Sequence, residues 1–262
     1  MDKRPVGIFD SGVGGTSIWR EIITLLPNEH TIYLADSANA PYGAKAEAEI
    51  KRLSIKNTEL LLKMDCKAVV VACNTATTNA IAHLRTSYNV PFIGIEPAIK
   101  PAALKSKSKV VGVLATKGTL SSALFHSTSE LHAADIAIIE QEGAGLVPLI
   151  EAYEAESPKT ESLLKEYLAP MLVAGIDHLV LGCTHYPYLI PLLRKLLPAH
   201  VKIIDSGEAV ARQTKAVLTE RALLNKDQKK GNGVFYTNAD ATILNRFVSG
   251  TATEVTVSEL DF

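Results

Sequence analysis

Cysteine is scarce in this 262-residue chain, which has only Cys66, Cys73 and Cys183. So few, and an odd number, argue against a disulfide framework and suit a reducing cytoplasm, leaving the sulfurs structural, metal-binding or catalytic. No CxxC pair and no HExxH or other compact ligand cluster is present, so neither a metal nor a dithiol redox motif is written in the sequence. Charge of one sign is also lacking. The formal net charge is −1 with both signs scattered, so no basic stripe points to nucleic acid or an anionic membrane. Long apolar runs are missing too. The run at 68–73 is far too short to span a bilayer, and the opening MDKRPVGIFDSG does not read as a signal peptide.

What is present is 47% hydrophobic residues, enough to bury one large domain or two smaller ones. Short β-branched runs at 6–10, 31–35, 68–72, 91–95, 109–114, 136–140, 178–182 and 201–205 are continuously apolar rather than alternating. That pattern predicts parallel strands buried on both faces. Between them lie amphipathic segments. In 17–26, Ile18, Trp19, Ile22, Ile23, Leu25 and Leu26 form one stripe, and in 158–174 charged residues oppose Leu164, Leu168, Met171 and Leu172. Alternating strands and helices predict an α/β doubly wound fold.

The chain also resembles itself. VGIFDSGVGGTS at 6–17 matches VGVLATKGTLSS at 111–122, and AVVVACNTATTNAI at 68–81 matches DHLVLGCTHYPYLI at 177–190. The two offsets are nearly equal, which predicts two pseudo-symmetric α/β units, each with a cysteine after its third strand. The other reading is one long sheet with chance similarity. Residues 208–224 read as a helix, 226–233 as a polar loop, and the remainder as strand, helix and strand. This tail is expected to return to the first unit. The expected domains are then 1–95 with 208–262, and 96–207.

Ligands in doubly wound folds bind at the carboxyl ends of the strands, where Cys73 and Cys183 both fall. A helical pattern follows each, and a helix N-terminus favours thiolate over thiol. Cys66 precedes its strand and reads as a buried, inert thiol. SGVGG at 11–15 invites an anion-binding reading, but it is not GxGxxG and has no P-loop lysine, so a tight turn is the alternative. Asp10 and Asp36 end the first two strands, where a carboxylate could assist a base. His185 could do so beside Cys183, or could simply cap a helix. Glu151 punctuates an apolar helical stretch and could equally be solvated. PYG at 41–43 is a turn whose N–H groups could hold a substrate under the Tyr42 ring. A dithiol redox protein and a non-catalytic binder of small anions remain alternatives to catalysis at this point.

DSGVGG after the first strand, the ADSANAPYG loop, ACNTAT around Cys73 and LGCTHYP around Cys183 together resemble the glutamate racemase family, in order and nearly end to end. The wider group includes aspartate racemases. The resemblance implies interconversion of L- and D-glutamate with no metal or organic cofactor, in a cleft between two domains. It further implies a cytoplasmic enzyme, often a homodimer, that supplies D-glutamate for peptidoglycan. By the family pattern Cys73 deprotonates D-glutamate and Cys183 L-glutamate. Asp10 assists on the Cys73 side, and His185 with Glu151 on the Cys183 side. Ser11, Tyr42, Gly43, Asn74, Thr75, Thr184 and His185, along with Asp10, match substrate-contacting positions; Thr116 and Thr119 are less certain ones. The chain starts only a few residues before its first strand, so activation by a peptidoglycan precursor through an N-terminal extension is not expected.

Overall fold

Every strand in the computed structural model runs parallel to its neighbours, in two separate sheets. The structure describes residues 2–95, 98–132 and 135–262. The chain divides into two compact units, Met1–Ile95 with Gly207–Phe262, and Glu96–Ser206.

The first unit begins β1 (Val6–Asp10), α1 (Thr16–Leu25), β2 (Thr31–Ala35), α2 (Glu47–Lys63), β3 (Ala68–Val71), α3 (Asn74–Ser87) and β4 (Phe92–Gly94). The second runs α4 (Ile99–Lys105), β5 (Val110–Ala115), α5 (Lys117–Leu120), α6 (Ala123–His132), β6 (Ala137–Glu142), α7 (Leu146–Glu151), α8 (Pro158–Val173), β7 (His178–Gly182), α9 (Ile190–Leu196) and β8 (Lys202–Ile204). The chain then completes the first unit with α10 (Gly207–Glu220), β9 (Asn232–Thr237), α11 (Ala241–Val248) and β10 (Glu254–Glu259). All eight sequence-predicted strands form, and the tail gives the expected strand, helix and strand. α10 stops short of residue 224 because Ala222 takes a left-handed backbone (φ 56°), and Leu223 N–H returns to the Leu218 carbonyl.

The strand orders expose the internal repeat. In the first sheet it is β10-β9-β2-β1-β3-β4, and in the second β6-β5-β7-β8. In each, the first strand of the unit lies between the second and third, and the fourth flanks the third. The central strands β1, β3 and β7 are buried throughout, as their unbroken apolar runs require, whereas β10 at a sheet edge alternates between half-buried and exposed.

Burial of Ile18, Trp19, Ile22 and Ile23 drives α1 onto the sheet, at about 1.5–3 kcal/mol for each side chain fully removed from water. The Trp19 indole meets Phe235 edge-on at 4.8 Å and donates to Thr31 Oγ1 (3.0 Å), while Tyr33 stacks on Phe235 at 5.2 Å. At the amino ends of the strands, Lys67 and Glu29 form a fully buried ion pair at 2.6 Å. Glu29 also accepts from Asn225 N–H at 2.7 Å, which ties the return segment to β2. In the second unit Ile99, Ala102 and Phe125 cover Val111, Val113 and Val180.

Candidate active site

Asp10 ends β1, and Cys73 follows β3 by two residues; the two strands are paired, with Phe9 opposite Val71. The turn after β1 is shaped by Asp10 itself. Its Oδ2 accepts from Gly15 N–H (3.0 Å) and Gly12 N–H (3.3 Å). Thr16, Ser17 and Ile18 N–H return to the carbonyls of Val13, Gly14 and Gly15. These bonds make the glycine turn a mount for the Asp10 carboxylate. Gly15 is needed for space: a Cβ there would lie 2.7 Å from Tyr33 Oη and 2.8 Å from Asp10 Cβ. Tyr33 Oη donates to the Gly12 carbonyl at 3.0 Å and pins the turn from β2.

Cys73 caps α3, its sulfur accepting from Ala76 N–H at 3.5 Å, and it lies 3.7 Å from Ser11 Oγ. The sequence argument expected the helix N-terminus to favour thiolate. The structure reverses this. Burial, and then the neighbouring Asp10 carboxylate, push the Cys73 thiol well above its usual range, outweighing the bonds from Ala76 and Ser11. Cys73 is therefore a protonated thiol at neutral pH. Asn74 and Thr75 open α3 beside it, both buried. Neither polar atom of the Asn74 carboxamide has a hydrogen-bond partner among the described residues. A buried amide left unsatisfied costs about 1–3 kcal/mol, so an inward-held Asn74 points to a ligand that completes it.

Tyr42 and Gly43 stand in a 3-10 turn, Tyr42–Ala44. The Tyr42 ring is buried, and its hydroxyl donates to Asp36 while accepting from Asn57 Nδ2 at 3.0 Å. Burial, and then Asp36, keep this phenol from ionising. Asp36 is turned into this network rather than toward Cys73 as a helper. Cys66 behaves as a packed side chain against the space over Gly7, its thiol pushed up to about 12 by burial and then by Asp65.

In the second unit Ala115 of β5 pairs with Gly182 of β7, which sets Thr116 and Cys183 at neighbouring strand ends. Cys183 Sγ lies 3.8 Å from His185 Nδ1, and His185 Nε2 lies 2.8 Å from Glu151 Oε1 at the end of α7. A carboxylate only accepts, so the Glu151 contact selects the tautomer with its hydrogen on Nε2, in which the Nδ1 lone pair faces the Cys183 sulfur. Glu151 is thus a partner of His185 and not part of a merely solvated face.

The helical segment after Cys183 opens as a 3-10 turn rather than as an α-helix, with Tyr186 N–H returning to the Cys183 carbonyl at 3.1 Å. Residues Tyr186–Leu189 make a 3-10 turn, and α9 begins only at Ile190, with Pro187 and Pro191 at the entries. His185 is the ionisable side chain beside the Cys183 sulfur. Thr184 and His185 are buried, Thr116 Oγ1 meets Thr119 Oγ1 at 3.1 Å, and Tyr186 Oη donates to the Gly143 carbonyl at 3.2 Å. The position matching Asp10 is Ala115, so the second unit has no carboxylate at that strand end. Among the described residues, no group of three or more His, Cys, Asp or Glu side chains is placed to hold a metal ion.

The family model for Asp/Glu/Hydantoin racemase matches residues 8–214. The chain belongs to this racemase family. It is therefore an isomerase. A glutamate racemase of Ectopseudomonas mendocina is 52% identical over 225 residues, covering 86% of each chain. Among solved structures of the family, the Escherichia coli glutamate racemase in complex with L-glutamate and the activator UDP-MurNAc-Ala is 35% identical, with 98% of each chain covered and a TM-score of 0.86. A glutamate racemase isoform of Bacillus anthracis is 30% identical, with 99% of each chain covered and a TM-score of 0.88.

Sequence reasoning about this racemase missed Tyr33, Lys56, Asn57, Asn238 and Tyr186. Asn57 falls on the same helical stripe as Ile50, Leu53 and Leu61 in EAEIKRLSIKNTELLLK, a polar residue on an apolar face that was the available signal, whereas nothing local marks Asn238.

Proposed function

We propose that this chain interconverts L- and D-glutamate by a two-base mechanism, with Cys73 and Cys183 acting on opposite faces of the α-carbon. The observation that carries the reading is the repeated placement of a thiol after the third strand of each unit, Cys73 beside Ser11 and Cys183 beside His185. An α-proton beside an ionised carboxylate is weakly acidic, and inversion needs a base on one face and an acid on the other. Burial keeps Cys73 protonated, which suits it to return a proton. His185 Nδ1 is placed to accept the Cys183 proton, and the resulting imidazolium is balanced by Glu151. In the L-to-D direction the Cys183 thiolate takes the α-proton and the Cys73 thiol delivers one to the other face. The reverse direction exchanges these roles. Asn74, Thr75 and Thr184 supply donors for charge developing on the substrate carboxylate. Tyr42, Gly43 and Ser11 complete the binding set.

The chain's kinship to glutamate racemases over most of its length supports glutamate as the substrate. On this reading the D-glutamate formed goes to peptidoglycan, and the enzyme works in the cytoplasm as a homodimer. Among the described residues, no helix is long and apolar enough to cross a membrane. The test is incubation with L-glutamate in deuterated water without added cofactor. Loss of optical rotation with deuterium at the α-carbon is expected, and Cys73→Ser and Cys183→Ser should each abolish racemisation. Near-normal turnover by either variant would overturn the two-base mechanism; exchange into aspartate but not glutamate would overturn the substrate.

A further inference from the structure

The carboxylate of Asp36 has no side-chain exposure, yet five side-chain donors converge on it. Two come from the loop that follows β2: Tyr42 Oη and Asn39 Nδ2 (2.8 Å). Two come from α2: Lys56 Nζ (3.0 Å) and Asn57 Nδ2 (3.3 Å). The fifth, Asn238 Nδ2 at 2.6 Å, comes from the segment after β9, some two hundred residues away in the chain. Burial acts to raise the Asp36 pKa, but the bonds from Tyr42, Asn39, Lys56 and Asn238 outweigh it and hold the carboxyl below its usual range.

Asn238 grips the loop twice. While its Nδ2 donates to Asp36, its Oδ1 accepts from Ala38 N–H at 2.9 Å. Residues 36–44 contain only two 3-10 turns, Ser37–Asn39 and Tyr42–Ala44, so their course depends on such side-chain anchors. The family match ends at residue 214, which leaves Asn238 outside it.

We propose that Asn238 is a positioning residue for the Tyr42–Gly43 turn, so that the return segment after β9 sets the substrate loop of the first half-site. The proposal rests on the reading that Tyr42 and Gly43 contact glutamate. Asn238→Ala removes both grips on the loop while leaving the thiols and their helpers in place. Losing a charge-assisted bond of this kind is expected to raise KM for both enantiomers about tenfold with kcat changed less than about twofold. Amide hydrogen exchange over residues 37–45 is expected to accelerate as well. Asn238→Asp keeps the acceptor for Ala38 but sets a second carboxylate against Asp36, and it should raise KM further. Asn232→Ala, which removes the partner of His30 at the other end of β9, is the structural control. It should lower the melting temperature without the KM rise or the local exchange.

A KM and a 37–45 exchange rate within about twofold of wild type in Asn238→Ala would overturn the proposal, as would an equal KM rise in Asn232→Ala. If wild type fails to racemise glutamate, the functional reading fails, and the exchange comparison still decides the clamp on its own.

Discussion

His185 Nε2 and Glu151 Oε1 are 2.8 Å apart, across 34 residues of sequence. This pairing holds the ring with its other nitrogen, Nδ1, 3.8 Å from Cys183 Sγ. Glu151→Gln keeps the shape but loses the charge that stabilises imidazolium. It is expected to cost about 1.5 kcal/mol, roughly tenfold in kcat/KM. Steady-state kinetics in both directions, with α-deuterated substrate, should place the loss on the step in which Cys183 must be ionised.

Gly15→Ala should damage the first half-site mechanically. The new methyl would meet Tyr33 Oη, Asp10 Cβ and, at 3.0 Å, Ala72 Cβ, none of them at the free end of a flexible chain. Overpacking of this kind costs about 1–3 kcal/mol. A melting temperature lowered by roughly 2–4 °C per kcal/mol is expected in thermal unfolding, with activity falling further than the melt explains because Asp10 must move.

Lys67 and Glu29 test a different part of the first unit. Lys67→Met leaves the Glu29 carboxylate buried without its cation, at a cost of about 3–5 kcal/mol. Adding Glu29→Gln should restore much of the stability, since the amide oxygen can still accept from Asn225 N–H. Urea unfolding of the two singles and the double measures the coupling.

Stability should fall in mild alkali. The Cys66 thiol sits at about 12 in the folded chain, against about 8.5 when unfolded. The unfolded chain therefore loses this proton first as pH rises, which favours unfolding. The contribution is intact below about 8.5 and is lost progressively up to about 12, by about 1.4 kcal/mol per pH unit. Cys73, also raised, adds in the same direction. Urea midpoints measured between about pH 8 and about pH 10 should decline, and less steeply in Cys66→Ala.

The strands were legible because β1, β3 and β7 are buried on both faces and carry unbroken apolar runs. The cysteines were legible because a polar cluster follows each strand end. What local sequence could not reveal was contact across distance. Asn57 shares a helical stripe with Ile50, Leu53 and Leu61, which marks it as buried, but its partner, the Asp36 carboxylate, lies 21 residues away in sequence. The direction of the Cys73 shift was equally hidden. A helix terminus can be read from neighbours in sequence, but full burial beside Asp10 is a product of the assembled sheet. Cys183 misled for a local reason, since Pro187 and Pro191 delay the helix that the apolar spacing suggested.

The return of the chain to its first sheet imposes an order on synthesis. β2 pairs with β1 on one side, but its other neighbour, β9, comes after the whole second unit. A ribosome therefore delivers residues 96–206 while β2 still presents an open edge to solvent. The second unit can close on itself during that interval, whereas the first remains unfinished until β9 emerges.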